Sequence, residues 1–220
     1  MAFQLKSDMT SFNTSLILST MVVGPLATNT YIVGSQSSGQ CLLIDPGAEA
    51  NTIIAKVNEL NLNVTYIINT HGHGDHNGAV RTIKNLTGAE YGINDKDIQV
   101  LGTSALWAPS IFPEYERPPN PDFYIRDAVP IEFTGVRLEV LETPGHTPGS
   151  VCFYAQGLLF TGDTLFKNSI GRYDIDGGNR EQLIDSIRSK LFTLPPETVI
   201  MPGHGPQSTI ETEINHNPFL

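Results

Sequence analysis

The heptapeptide Thr70-His71-Gly72-His73-Gly74-Asp75-His76 follows an apolar segment, 64–68, that has the composition of a buried β-strand. It offers four potential metal ligands within six residues, and imidazole together with carboxylate suits zinc, iron or manganese. The two glycines remove side-chain bulk and let the backbone fold tightly, so the remaining side chains can converge on one point. Core packing gives no reason for such a cluster. The sequence therefore predicts a metal centre where this strand ends.

The same arrangement of an apolar segment, a glycine-bounded turn and a metal-binding residue type recurs at three more places. His146 follows Gly145, Asp163 follows Gly162, and His204 lies between two glycines. A single histidine beside glycine is more often a hydrogen-bonded turn residue than a ligand, but the first cluster changes that balance. The complete candidate set is His71, His73, Asp75, His76, His146, Asp163 and His204. Seven ligands suit two metals that share one carboxylate and one water, whereas His216 lacks a glycine turn and an acidic neighbour and is assigned a structural role.

The order His-x-His-x-Asp-His, then isolated His, Asp and His, resembles the pattern of the metallo-β-lactamase superfamily. The resemblance extends from Asp45-Pro46-Gly47 to the end of the sequence. It implies an α/β fold, a four-layer αβ/βα sandwich of two packed mixed sheets with outer helices and with metals at one edge between the sheets. It also implies a ligand assignment, with Asp45 supporting the site from behind: His71, His73 and His146 on one metal, Asp75, His76 and His204 on the second, and Asp163 bridging.

Several short motifs are similar to those of small, single-domain glyoxalase II-like hydrolases. They are the segments 162–166, 169–172, 177–179, 202–206 and 216–220. This resemblance implies hydrolysis of a thioester, S-D-lactoylglutathione or a related acyl-thiol, to D-lactate and a free thiol. Asp75 is expected beside the attacking hydroxide, and Arg172 and Tyr173 are expected to contact the substrate. The implied cofactors are two divalent ions, with zinc expected first and iron or manganese as the other choices.

Alternatives remain open on the same residues. Glyoxalase II proteins carry a further C-terminal helical domain that holds glutathione. The sequence to Leu220 is expected to lack that domain, which leaves the thiol carrier open. Persulfide dioxygenases also resemble this chain closely, and they use one iron held by two histidines and one aspartate. A lactonase or β-lactamase is disfavoured by the region around Arg172. A non-enzymatic binding module would have no use for a complete ligand set.

Charge and composition exclude other classes of partner. The formal net charge is −10 and no cluster of Lys or Arg exists, which argues against a nucleic-acid partner or a nuclease. The apolar stretch 16–23 is too short to span a bilayer, and the start of the sequence lacks the apolar core of a secretory signal. Cys41 and Cys152 each have apolar neighbours and are predicted to be buried thiols. A cytoplasmic protein that acts on a small molecule is expected, of undetermined oligomeric state.

Apolar spacing predicts the order of secondary-structure elements. Helices are expected at 51–60, 79–86 and 180–192, and strands at 16–23, 29–33, 41–44, 64–68, 136–141, 151–154, 158–160 and 198–201. The Pro-rich segment 103–121, which holds the single Trp, is predicted to be a long surface loop that can act as a lid over the site. Residues 1–13 are predicted to be a flexible extension that precedes one domain, 14–220.

Overall fold

The computed structural model describes residues 16–133 and 135–220, so the predicted extension 1–13 lies outside the described residues. The first part of the chain supplies one six-stranded sheet: β1 (Leu16–Val23), β2 (Thr28–Ser35), β3 (Gln40–Ile44), β4 (Asn63–Ile68), β5 (Glu90–Ile93) and β6 (Phe123–Tyr124). These strands pair in chain order. The pairing is antiparallel from β1 to β3 and parallel from β3 to β6.

The second part of the chain supplies another six-stranded sheet and a short separate hairpin. The strands are β7 (Ile131–Phe133), β8 (Val136–Glu142), β9 (Val151–Ala155), β10 (Leu158–Gly162), β11 (Leu165–Phe166), β12 (Ser169–Ile170), β13 (Val199–Pro202) and β14 (Ser208–Thr209). The sheet has the order β14-β13-β10-β9-β8-β7, and β11 pairs with β12 alone. Only the β10–β13 pair is parallel in this sheet, so both large sheets are mixed.

Helices cover the outer faces of the two sheets. They are α1 (Ala50–Glu59), α2 (Gly74–Asn77), α3 (Val80–Thr87), α4 (Ile98–Ile111), α5 (Arg180–Ser186) and α6 (Ile210–His216). A 3₁₀ turn, Asp95–Asp97, precedes α4, and a π-helical turn, Ile187–Leu191, continues α5. Helices α1 and α3 pack on the first sheet, whereas α5 and α6 pack on the second. In the described part of the chain, no helix has the length and apolarity needed to cross a membrane.

The main core lies between the two sheets. Strand β8 alternates buried Val136, Leu138 and Val140 with exposed charged residues, the period of a strand with one face on a core. Tyr31 of the first sheet packs edge-on against Phe160 of the second, with ring centroids 5.0 Å apart. Strand β2 is buried along its whole length because the second sheet covers one face of its sheet and helices cover the other. The predicted four-layer sandwich is confirmed.

The predicted loop 103–121 is wrong over its first half. Helix α4 continues to Ile111, and only the stretch from 112 to 121 contains no helix or strand. Pro109 suggested a loop, but it lies within the last turn of the helix, and the missing N–H of this one residue does not end the helix. The helix still ends with a bond from the Phe112 amide to the Ala108 carbonyl, 2.8 Å long. Both cysteines are buried free thiols, as predicted.

Gly102 lies inside α4, and a Cβ atom added there would meet nothing within 4 Å. Glycine in a helix interior costs about 0.5–1 kcal/mol relative to alanine, so we expect Gly102→Ala to raise the free energy of unfolding by about that amount. Gly88 is the matched control, because its surroundings are equally open but its φ is +73°. Denaturant unfolding at fixed metal content should show Gly88→Ala to be destabilising, and equal effects of both variants would contradict this explanation.

Candidate metal centre

The candidate ligands follow the ends of strands at one edge between the sheets. His71 comes after β4, His146 after β8, Asp163 after β10 and His204 after β13. Backbone bonds tie these strand ends together. The Val151 amide donates to the Thr70 carbonyl across the two sheets (2.9 Å), and the Gly203 amide donates to the Gly162 carbonyl within the second sheet (2.8 Å). The loops that carry the candidate ligands therefore begin from fixed backbone positions.

The first group of side chains consists of His71, His73 and His146. One ring nitrogen from each lies within 4.8 Å of the others. His73 Nδ1 and His146 Nε2 are 3.0 Å apart, and His71 Nε2 is buried without a hydrogen-bond partner. Three ring nitrogens that converge in this way could hold a metal ion.

The second group consists of Asp75, His76 and His204. Asp75 Oδ2 lies 3.2 Å from His204 Nε2 and 3.5 Å from His76 Nε2, and the two Nε2 atoms are 3.2 Å apart. Helix α2 is only one turn long, and it places Asp75 and His76 beside each other after the two glycines. These three donors also satisfy the requirements of a cation site.

Asp163 lies between the two groups and faces both. Its Oδ2 atom is 3.6 Å from His146 Nε2, and its Oδ1 atom is 3.4 Å from His76 Nε2 and 3.6 Å from His204 Nε2. Donors bound at 2.0–2.2 Å around a tetrahedral ion are separated from each other by about 3.4 Å. Asp163 Oδ1 is buried and has no hydrogen-bond partner among the described residues. The spacing and the unpartnered atoms fit two divalent ions that share this carboxylate.

Asp45 lies behind the second group and is satisfied by protein donors. Its Oδ1 atom accepts from the Thr70 amide (2.7 Å) and from Asn69 Nδ2 (3.1 Å). Its Oδ2 atom accepts from Thr70 Oγ1 (2.6 Å) and lies 3.0 Å from His76 Nδ1. Because both oxygens are occupied, Asp45 orients the His76 ring through Nδ1 and leaves Nε2 free for the site.

Other candidate imidazoles are oriented in the same way. His146 Nδ1 donates to the Arg172 carbonyl at 2.7 Å, and His204 Nδ1 donates to the Leu26 carbonyl at 3.0 Å. His71 Nδ1 lies 3.1 Å from a threonine hydroxyl. A hydrogen bond at the far nitrogen fixes the tautomer and aims the lone pair of the near nitrogen at the centre.

The protonation states of His71, His73 and Asp163 suit metal binding, whereas at His76 the nearby carboxylates outweigh burial and raise its pKa. Burial lowers the pKa of His71 well below its ordinary value, and the adjacent His76 and His146 rings lower it further. Burial and His146 lower the pKa of His73 to about 4. Burial opposes ionisation of Asp163, but the neighbouring His76 and His146 hold the pKa of that carboxyl well below its usual range. Neutral imidazoles and an ionised carboxylate are the forms that bind cations.

A cavity of about 700 Å³ opens above these groups, a size typical of small-molecule sites. His73, Asp75, His146, Asp163 and His204 form part of its surface. One wall is the face of α4 and the turn before it, and its lining residues are Lys96, Gln99, Val100, Thr103, Ser104 and Trp107. Sequence reasoning missed this wall, except that it proposed a cover over the site from the Trp107 region. The sequence of α4 gives only a weak amphipathic pattern, because apolar residues lie on several sides of this helix.

The structure separates the two predicted substrate contacts. Arg172 reaches the cavity rim, with a side chain that is 71% exposed and an ion pair to Asp174 at 3.0 Å. Tyr173 is not part of the cavity lining, and its ring lies beneath the Arg180 guanidinium at 5.8 Å from the centroid. His216 lies exposed in α6, outside the cavity, with Nδ1 3.2 Å from a backbone carbonyl of its own helix.

Comparison with known sequences agrees with this geometry. The sequence pattern of the metallo-beta-lactamase superfamily matches residues 23–204. The chain is 38% identical over 190 residues to the hydroxyacylglutathione hydrolase GloC of Haemophilus influenzae. This alignment covers 81% of this chain and 86% of that protein. It is 37% identical over 203 residues to the probable metallo-hydrolase YqgX of Bacillus subtilis, covering 91% of this chain and 95% of that one.

Two solved structures are similar over nearly the whole chain. The BLEG-1 B3 metallo-beta-lactamase has a TM-score of 0.84 at 33% identity, covering 92% of this chain and 99% of that one. TTHA1623 in a di-iron-bound form has a TM-score of 0.82, also at 33% identity, covering 92% of this chain and 100% of that one. The chain therefore belongs to the metallo-β-lactamase superfamily, whose metallo-hydrolases it resembles in sequence and fold.

Proposed function

We propose that this chain is a metal-dependent thioester hydrolase that cleaves S-D-lactoylglutathione or a related acyl-thiol. The observation that carries the proposal is Asp163, whose two oxygens face two separate groups of donors beside an open cavity. The similarity to GloC supports the substrate class. Zinc is the proposed metal, and the di-iron form of TTHA1623 supports iron as the next choice.

The residues around the cavity have different roles in the proposed reaction. Divalent ions held by the two groups would supply an activated water and a Lewis acid for the thioester carbonyl. Asp75, with a side chain that is 9% exposed, can accept a hydrogen bond from the attacking water. Val100 and Trp107 form an apolar wall that excludes water from the acyl group. Lys96 and Arg172 place positive charge at the rim, where they can attract an anionic carrier. A thiolate leaves readily, so no strong general acid is required.

An iron-dependent persulfide dioxygenase is the second candidate, and the similarity to ETHE1 from Myxococcus xanthus supports keeping it, with a TM-score of 0.79 at 29% identity, covering 92% of this chain and 83% of that one. Such an enzyme needs one iron held by two histidines and one aspartate. It would leave the group Asp75, His76 and His204 without a use, although those donors converge as closely as the first group does. The complete second group is the reason for preferring the hydrolase.

A direct comparison of substrates tests the proposed reaction. We expect the purified, metal-loaded protein to release free thiol from S-D-lactoylglutathione without consuming oxygen. Thiol release can be followed with a chromogenic disulfide, and oxygen uptake with an electrode in the presence of glutathione persulfide. Rapid oxygen uptake with negligible thiol release would establish the dioxygenase instead. Hydrolysis of a β-lactam in preference to both thiol substrates would overturn the proposed substrate class.

The bridging role of Asp163 predicts the effect of removing it. Asp163→Ala takes away the only candidate ligand that faces both groups, so we expect metal content to fall from about two ions per chain to one or fewer, with loss of turnover. Metal analysis after gel filtration gives the stoichiometry. Asp176→Ala is the matched control, because Asp176 is an exposed carboxylate of the same cavity outside both groups. Normal metal content in Asp163→Ala would contradict the bridging assignment.

Arg172 is predicted to bind substrate without taking part in the chemistry. Because it is exposed and already paired, we expect Arg172→Ala to raise KM by about two- to fivefold with kcat little changed. Asp174→Asn makes the opposite change, because it frees the guanidinium from its ion pair and should leave KM equal or lower. Steady-state kinetics on two lactoyl thioesters with different thiols would show which part of the substrate Arg172 meets. An unchanged KM for both substrates would show that Arg172 is a surface residue that does not bind the substrate.

A further inference from the structure

Asp97 is a fully buried carboxylate that the proposed reaction does not use. It occupies the position just before α4, where an aspartate usually accepts a hydrogen bond from a backbone amide two or three residues further on. Asp97 makes no such bond to its own helix. Because a buried carboxylate must be satisfied by donors, its hydrogen bonds must go elsewhere.

Its bonds reach two loops that are far apart in the sequence. Asp97 Oδ2 accepts from the Gly72 amide and from Thr147 Oγ1, both at 2.7 Å. Asp97 Oδ1 accepts from the Gly149 amide at 2.6 Å. Gly72 lies between His71 and His73, whereas Thr147 directly follows His146. One carboxylate therefore joins the two loops that supply the first group of imidazoles.

Close packing shows how tightly the three segments are held. A Cβ atom at Gly149 would lie 2.7 Å from Asp97 Oδ1, and one at Gly72 would lie 2.9 Å from the Asp97 carbonyl. Side chains larger than hydrogen would thus push both loops away from Asp97. Thr147 is also completely buried, and its hydroxyl lies 2.7 Å from Ser150 Oγ in the same loop. This second contact holds the hydroxyl in place.

We propose that Asp97 is a positioning residue that holds His71, His73 and His146 at the separation required by one metal ion. The inference rests on the proposed ligand assignment. In the described chain, the Asp97 side chain makes no hydrogen bond to Asp75, His76 or His204. We therefore expect loss of Asp97 to weaken mainly the metal position held by the first group.

The test is a zinc titration of the metal-free protein in competition with a chromophoric chelator, which resolves two dissociation constants. In Asp97→Asn, the side-chain NH2 group faces at least one of the N–H or O–H groups that donate to Asp97 in the wild type. That hydrogen bond is therefore lost. Loss of such a supporting partner typically weakens metal binding about 10–100-fold, so we expect one dissociation constant to rise by that factor and the other to stay unchanged. Asp95→Asn is the matched control, because Asp95 lies in the same turn, is exposed and forms its ion pair among the described residues with Arg126 at 3.3 Å.

Thr147→Val provides a second, milder variant that keeps the shape of the buried side chain and removes one donor to Asp97. It should weaken the same metal position, and the double variant should show less than the sum of the two losses, because both changes break one contact. Equal weakening of both zinc positions, or no weakening, would overturn the inference and leave Asp97 a purely structural residue. In that case the substitutions would change only the free energy of unfolding of the metal-free protein. Thioester hydrolysis by the wild type is measured separately, so failure of the proposed function is distinguishable from failure of this inference.

Discussion

Four carboxylates, Asp45, Asp75, Asp97 and Asp163, meet where the two sheets come together, and the compensation of their charge governs the site. In the described chain, none forms an ion pair with Lys or Arg. An ionised carboxylate withdrawn from water without partners costs several kcal/mol. Asp45 and Asp97 receive backbone amides and hydroxyls, and both lie behind the ligand loops. Asp75 and Asp163 instead face histidines and the cavity, so their negative charge is available to balance bound cations.

The sheets make this arrangement rigid. The Asn29 amide donates to the Gly203 carbonyl at 2.7 Å, and the Tyr31 hydroxyl donates to the Pro202 carbonyl at 2.6 Å. These bonds join the first sheet to the loop that carries His204, just as the bond from Val151 to Thr70 joins the sheets beside His71. Candidate ligands attached to strand ends in this way are held in place by backbone hydrogen bonds. Such preorganisation reduces the conformational entropy lost when a cation binds.

The sequence predicted the strands and the donor groups because both signals are local, whereas the four layers followed from the family resemblance. Apolar period and glycine turns mark the strands, and the cluster from His71 to His76 stands within six residues. The structure brings all seven candidate side chains together, but their assignment as ligands stays a prediction. Asp97 could not be recognised, because its partners lie 25, 50 and 52 positions away in the sequence and no local pattern marks such contacts. Helix α4 was missed because Pro109 resembled a loop signal.

Chemistry and substrate choice are placed on different parts of the molecule. The candidate donors follow strand ends and are mostly buried, and two proteins with different names, BLEG-1 and GloC, are similar to this chain over most of its length. The cavity walls come from α4 and from the loop around Arg172, which are more exposed and free of the constraints of the sheets. Lys96 is bound to Glu142 at 2.6 Å and Arg172 to Asp174, so the charge at the rim is held by exposed ion pairs that a substrate can replace at little cost. Substrate selectivity can therefore change at the rim while the metal centre stays the same.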